Sequence, residues 1–229
     1  MKLLCISDTH NQYDYKTTGE LVDFIVHAGD LTVYGYEHEI RYEFEKLDAL
    51  AEELQAYDVI VTPGNHDKFS EDFPVLWREL IAKYGFISLI DQMAIRQGIK
   101  FYGTPWCPGQ KHWAWSSHRC SIKQKFAAIP EGLDVLITHC PPEGILDKVR
   151  EIEGWDERGQ EGPEVYTRFK SFGSPSLKEH VLRAKPKVHI FGHIHDSSGI
   201  LKVGDTTFVN AAICDEGYVA SNKPKLIEV

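Results

Sequence analysis

Lys2-Leu3-Leu4-Cys5-Ile6-Ser7-Asp8-Thr9-His10 is a short apolar run that stops abruptly at an acid and an imidazole. The run is too short for a helix and reads as a buried strand. The same grammar recurs down the chain. Phe24 to His27 runs into Ala28-Gly29-Asp30, and Val59-Ile60-Val61 closes at Pro63-Gly64 before Asn65-His66-Asp67. Leu133 to Thr138 runs into His139, and Val188 to Phe191 into Gly192-His193-Ile194-His195. Between the first strands, Phe44, Leu47, Leu50, Ala51 and Leu54 recur at the three-to-four spacing of an amphipathic helix over Glu37 to Gln55. Phe73 to Tyr84, Arg119 to Ala128 and Ser176 to Ala184 read as further helices. The last has Pro175 in its first turn and Ser174 or Ser176 as candidate N-cap. Ile87 to Ile90, Met93 to Arg96 and Ile99 to Tyr102 read as short strands. Gly199 to Val203 and Thr206 to Val209 form a hairpin about Gly204-Asp205. Gly154 to Gly173 is polar and irregular, and is expected to be a long loop. Strands alternating with helices early and pairing as hairpins late specify a mixed α/β fold.

Composition narrows the function. The 229 residues are 42% hydrophobic and 26% charged, an ordinary globular balance that excludes disorder, collagen-like repeats and coiled coils. No linker or internal repeat divides the chain, so one domain over residues 1–229 is expected. The net charge of −9 repels nucleic acid and anionic lipid, which argues against a protein that coats either. No apolar run is long enough to span a bilayer. Ser7-Asp8 cuts the N-terminal run too short for a secretory signal, and five irregularly spaced cysteines do not form a disulfide framework. A cytoplasmic location is the expectation.

The strand ends carry the chemistry. In α/β sheets, ligands bind beyond the carboxyl ends of strands. The five strand ends, with Asp8 and His10, Asp30, Asn65-His66-Asp67, His139, and His193 and His195, therefore deliver O and N donors to one face. Asp8/His10 and His193/His195 each lie two apart, so each pair can turn toward one ion. The glycines before Asp30, Asn65 and His193 permit close backbone approach.

These residues, Asp-x-His, Gly-Asp, Gly-Asn-His-Asp, His and Gly-His-x-His in order over residues 8 to 195, resemble the calcineurin-like metallophosphoesterases. Gly103-Thr104-Pro105-Trp106, His139-Cys140-Pro141-Pro142 and Val209-Asn210-Ala211 resemble the subgroup of brain-expressed metallophosphoesterase-domain proteins and their bacterial relatives. The class III cyclic-nucleotide phosphodiesterases are similar but less so. The resemblance implies a four-layer sandwich of two mixed β-sheets flanked by helices. It implies two divalent metal ions, one on Asp8, His10 and His195, the other on Asn65, His139 and His193, with Asp30 bridging. It implies His66 as the acid near the leaving oxygen and a metal-bridging hydroxide as nucleophile. The mixed N/O donor set fits Mn, Fe, Zn or Ni.

The expected activity is hydrolysis of a small-molecule phosphoester, with small or nucleotide phosphodiesters favoured partly by the subgroup resemblance and partly because no arginine in the motifs would clamp a dianionic monoester. A phosphomonoesterase or protein phosphatase is the alternative. A nuclease is disfavoured for want of a basic stripe, and a non-catalytic module for want of any lost ligand. The oligomeric state is open. Trp106, Trp113 and Trp115 are expected to wall the substrate cleft, with Asn65 and His66 also touching substrate. Asp67 is expected to support ligands rather than bind metal. His27 reads as a buried, hydrogen-bonded histidine, and His38, His112, His118, His180 and His189 as surface or core residues. Cys107 and Cys140 read as buried and inert. Asn210 reads equally as an orienting residue or a turn residue.

Overall fold

A computed structural model describes residues 1–13, 19–109, 112–155 and 161–229. Two sheets form its centre. The first joins β1 (Lys2–Ile6), β2 (Phe24–His27), β3 (Asp58–Val61) and β4 (Ile87–Ser88) in parallel. The second is built on β5 (Gln92–Arg96), β6 (Ile99–Thr104), β9 (Val135–Thr138), β12 (Val188–Phe191), β13 (Gly199–Val203) and β14 (Thr206–Asn210). Its inner strands β6, β9, β12 and β14 are parallel, and β5 and β13 pair antiparallel at the two edges. β15 (Lys225–Glu228), not among the strands expected from the sequence, closes the first sheet antiparallel to β1. The two-residue strands β7 (Cys107–Pro108) and β8 (Ser116–Ser117), likewise not among them, pair with each other.

Alternation along the strands sorts side chains into layers. Leu3, Cys5, Phe24, Val26 and Ile60 of the first sheet meet Phe101, Val135, Ile137, Val188, Ile190 and Val209 of the second. Their neighbours Leu4, Ile6, Ile25, Val59 and Val61 turn outward. There they pack against α1 (Glu37–Leu54) through Ile40, Phe44 and Leu47. The five-residue α2 (Lys68–Asp72) precedes α3 (Pro74–Lys83), which adds Trp77, Leu80 and Ile81 to the same layer. On the far side, Tyr102, Leu136, Phe191 and Phe208 pack under α4 (Arg119–Ala127) and α5 (Pro175–Ala184) through Ile122, Phe126, Leu177 and Val181. The order is helix, sheet, sheet, helix, so the four-layer sandwich is observed. Fully burying one such aliphatic or aromatic side chain stabilises by about 1.5–3 kcal/mol, so all three apolar layers contribute to the fold.

Local signals account for most boundaries. Gln55 ends α1 in a left-handed conformation. The Ser174 hydroxyl accepts from Leu177 N at 3.2 Å, which decides between the two candidate caps of α5 and puts Pro175 at its first position.

The expected loop from Gly154 to Gly173 is corrected. Its described residues form most of an antiparallel ribbon, β10 (Lys148–Trp155) with β11 (Glu161–Ser171); residues 156–160 lie outside the described residues. Glycines and charges masked the strand-forming Val149, Ile152, Val165, Tyr166, Thr167 and Phe169. The pairing that satisfies their backbone is not a local property. Among the described residues, no helix is long and apolar enough to cross a membrane.

Candidate metal centre

The parallel strands of both sheets end on one edge. β1 delivers Asp8 and His10, β2 delivers Asp30, β3 delivers Asn65 and His66, β9 delivers His139, and β12 delivers His193 and His195. A backbone bridge between Ser7 and Ala212 ties the two sheets there, with Ser7 N donating to Ala211 O at 3.0 Å. The structure brings all seven expected ligands and His66 together. Asp8, His10 and His195 offer ligand atoms within 4.8 Å of one another, as do Asp8, Asp30 and His139. The Asn65 amide oxygen lies 3.0 Å from His139 Nε2, and Asp30 Oδ2 lies 3.2 Å from the same atom. Asp30 Oδ2 is also 4.0 Å from His10 Nε2 and from His66 Nε2, so its carboxylate stands between the two groups.

Four of the five site histidines are aimed by one repeated device. These give their Nδ1–H to a backbone carbonyl: His10 to Thr32 at 2.9 Å, His66 to Val33 at 2.6 Å, His139 to Ala28 at 2.9 Å and His195 to Asp215 at 2.9 Å. Nε2 is thereby fixed facing the centre, the arrangement that metal-ligating histidines adopt. Among the described residues, the buried His10 Nε2 has no hydrogen-bond partner, a costly position unless an ion binds it. Electrostatics agree. Burial works against ionisation of both Asp8 and Asp30, yet His195 holds Asp8, and His139 holds Asp30, well below the usual carboxylate range. Burial also opposes charge on the two imidazoles, but their carboxylate neighbours push His139 up to about 10 and His195 up to about 9. The centre therefore demands positive charge. Burial pushes His193 down to about 4, which keeps that ring neutral and able to ligate. The donor set fits a pair of divalent cations.

Backbone strain is concentrated here. Asp8, His10, Asp30 and His193 all have positive φ, between 43° and 69°. Non-glycine residues rarely adopt this conformation, and it persists where surroundings hold it. Two glycines make room: a Cβ on Gly64 would strike the Asp30 carboxylate, and one on Gly192 would strike the Asp8 carboxylate.

Behind the donors lies a supporting shell. Asp67, buried, accepts from Leu31 N, Thr32 N, the Thr32 hydroxyl and Gly64 N at 2.8–3.2 Å, joining the Asp30 turn to the Asn65 turn. Asn210 donates to Ile194 O at 2.8 Å and Leu146 O at 3.1 Å, and so braces the segment between His193 and His195. Its Oδ1 also accepts Ala212 N at 3.2 Å, so Asn210 makes both the bracing contacts and the turn contact that the two readings call for. His27 is buried, with Gly29 N donating to its Nδ1 at 3.2 Å. Its Nε2 stands 3.0 Å from the Thr9 hydroxyl, which donates to Glu43 at 2.7 Å. This relay pins Thr9 between two ligands.

Glu43 supports the centre although it stands in none of the sequence motifs. The signal was there, since it is an acid within the apolar stripe of Ile40, Phe44 and Leu47, and burial pushes it up to about 8. Tyr218 also stands outside the motifs and carried no signal. Its ring lies 4.6 Å from that of His10, at φ 59°.

The centre opens into a cavity of about 410 Å³ whose wall includes His66, Trp113, Glu216 and Tyr218. The Trp113 ring is 4.5 Å from that of His66. Trp106 and Trp115 do not line this cavity, which corrects the expectation for them. Their indole N–H groups turn instead to Asp91 at 2.8 Å and to the Ser70 hydroxyl at 2.7 Å. Both indoles are half-buried, and their N–H groups find these partners outside the cavity lining. Cys107 borders the cavity near His139 and His193, and burial holds its thiol protonated.

A family model described as calcineurin-like phosphoesterase matches residues 1–197. The chain belongs to the calcineurin-like phosphoesterase family. Metal-dependent phosphoester hydrolysis is the chemistry this membership supports, and the His/Asp clusters above are candidate holders of the metal. Metallophosphoesterase domain-containing protein 1 of Homo sapiens is 32% identical, over 100% of this chain and 71% of its own; that of Mus musculus matches equally. A UPF0046 protein of Caenorhabditis elegans is 30% identical over 98% of this chain and 73% of its own. A crystal structure with 18% identity and TM-score 0.62 covers 99% of this phosphoesterase and 98% of its own chain, a likeness of fold.

Proposed function

We propose that residues 1–229 form one catalytic domain that hydrolyses small phosphodiesters, with a first divalent ion on Asp8, His10 and His195, a second on Asn65, His139 and His193, and Asp30 shared. The N/O donor set suits Mn, Fe, Zn or Ni. Such ions, when bound, neutralise phosphoryl charge and acidify a water. The chain's own residues do the rest. Val33 O holds His66 Nδ1–H, so a second proton on the ring sits on Nε2, facing the cavity and able to pass to a departing oxygen. Trp113 packs beside that ring and limits its rotation.

The observation that carries the diester reading is the cavity wall. Among the described residues it contains no arginine or lysine and includes Glu216. A dianionic monoester calls for a cationic clamp, whereas a monoanionic diester needs none. Parallel assays with bis(p-nitrophenyl) phosphate and p-nitrophenyl phosphate, which share a leaving group, test this. The diester is expected to show the higher kcat/KM by about tenfold or more, the equivalent of one charge-assisted contact. A preference for the monoester would establish the phosphomonoesterase alternative.

A further inference from the structure

The cavity at the metal centre does not end at His193. A second lobe of about 480 Å³ continues from it, and the two share Pro108, Gly109, His193 and Glu216 in their walls. The first lobe holds His66 and Trp113; the second is lined by Val149, Phe172 and Ile194, with His118 at its edge. Phe172 is 47% exposed, so its ring is open to a ligand in the second lobe.

Phe172 is also rigidly placed. Its backbone N donates to Asp147 O at 2.9 Å. The Asp147 carboxylate, fully buried, accepts from Gly144 N at 2.8 Å and Gly173 N at 3.0 Å. The β10 strand that carries Val149 is bonded to the ligand segment itself. Lys148 N donates to the Ser197 hydroxyl at 2.9 Å, and Arg150 N to Asp196 at 2.9 Å. The apolar floor of the second lobe and the loop bearing His193 and His195 therefore form one unit.

A diester has two arms, and in-line displacement sends them in different directions from phosphorus. We propose that the second lobe is the subsite for the arm that stays on phosphorus, and that Phe172 is its specificity-determining residue, selecting a planar ring such as an aryl group or a nucleobase. The leaving arm occupies the first lobe, beside His66. This inference rests on the diester reading above.

The test holds the leaving group constant as p-nitrophenolate and varies the retained arm among methyl, phenyl and thymidine. Wild type is expected to prefer a ring-bearing arm over methyl, through KM. In Phe172→Ala that preference should fall about tenfold, the effect of losing one partly buried aromatic contact, while Phe172→Tyr, which keeps the ring, should retain it. A ring preference unchanged in Phe172→Ala, or no ring preference in wild type, would overturn the subsite. Failure of wild type to hydrolyse any of the three diesters would instead overturn the diester reading and the inference with it.

Discussion

Asp30→Ala is expected to lose roughly 10³-fold or more in kcat/KM, because it removes several kcal/mol of charge organisation from both metal positions at once. Asp30 stands between the groups, with Oδ2 at 3.2 Å from His139 Nε2 and 4.0 Å from His10 Nε2. Its other oxygen accepts His66 N at 2.8 Å, so the substitution also frees the turn that carries the proposed acid. Losing any other ligand leaves one ion with its donors complete; losing Asp30 leaves neither so. Elemental analysis of the purified variant should show depletion at both positions. Metal content equal to wild type would remove Asp30 from its proposed role.

His66→Ala is expected to keep both ions and to be slow in a way that depends on the leaving group. A positioned acid contributes typically about 10²–10⁴-fold when the departing oxygen needs a proton. Nitrophenolate departs without much help, since its conjugate acid is already strong. An alkyl or nucleoside alkoxide does not. The variant should therefore be impaired far more on alkyl or nucleoside esters than on nitrophenyl esters. Equal losses on both would show that His66 positions substrate rather than donating a proton. Loss of metal would place His66 among the ligands, a result its distance from Asp30 and its grouping with His10 make a sharp alternative.

The convergence of the candidate donors was legible in the sequence because each follows closely on one of five apolar strands, so strand and candidate donor are near neighbours in the chain. Asp8 needs only Leu3 to Ile6 to announce it, and His193 only Val188 to Phe191. The layers were not legible in the residues themselves, since Leu3 to Ile6 are apolar throughout and strand periodicity gives only a mixed α/β fold; the four-layer sandwich was what the resemblance implied. Glu43 was half legible: a carboxylate on the buried stripe of α1 is conspicuous, but its partner Thr9 lies far away in sequence. Phe172 and Tyr218 were not legible. Their positions depend on closure of distant segments over the centre, through Asp147 in one case and the Asp215 turn in the other. The β10–β11 ribbon was misread because charged and glycine residues outweighed strand formers whose pairing is non-local. The three indoles were grouped by proximity in sequence, whereas the backbone turns only Trp113 toward the cavity and gives Trp106 and Trp115 hydrogen-bond partners outside it.

A metal titration tests the central claim most directly. Protein stripped with a chelator and dialysed free of it should be inactive on bis(p-nitrophenyl) phosphate. Mn²⁺ added back in measured amounts should restore hydrolysis, reaching a plateau at about two equivalents per chain, as a two-metal site requires. Activity that persists in the stripped protein, or a plateau at about one equivalent, would contradict the dinuclear centre.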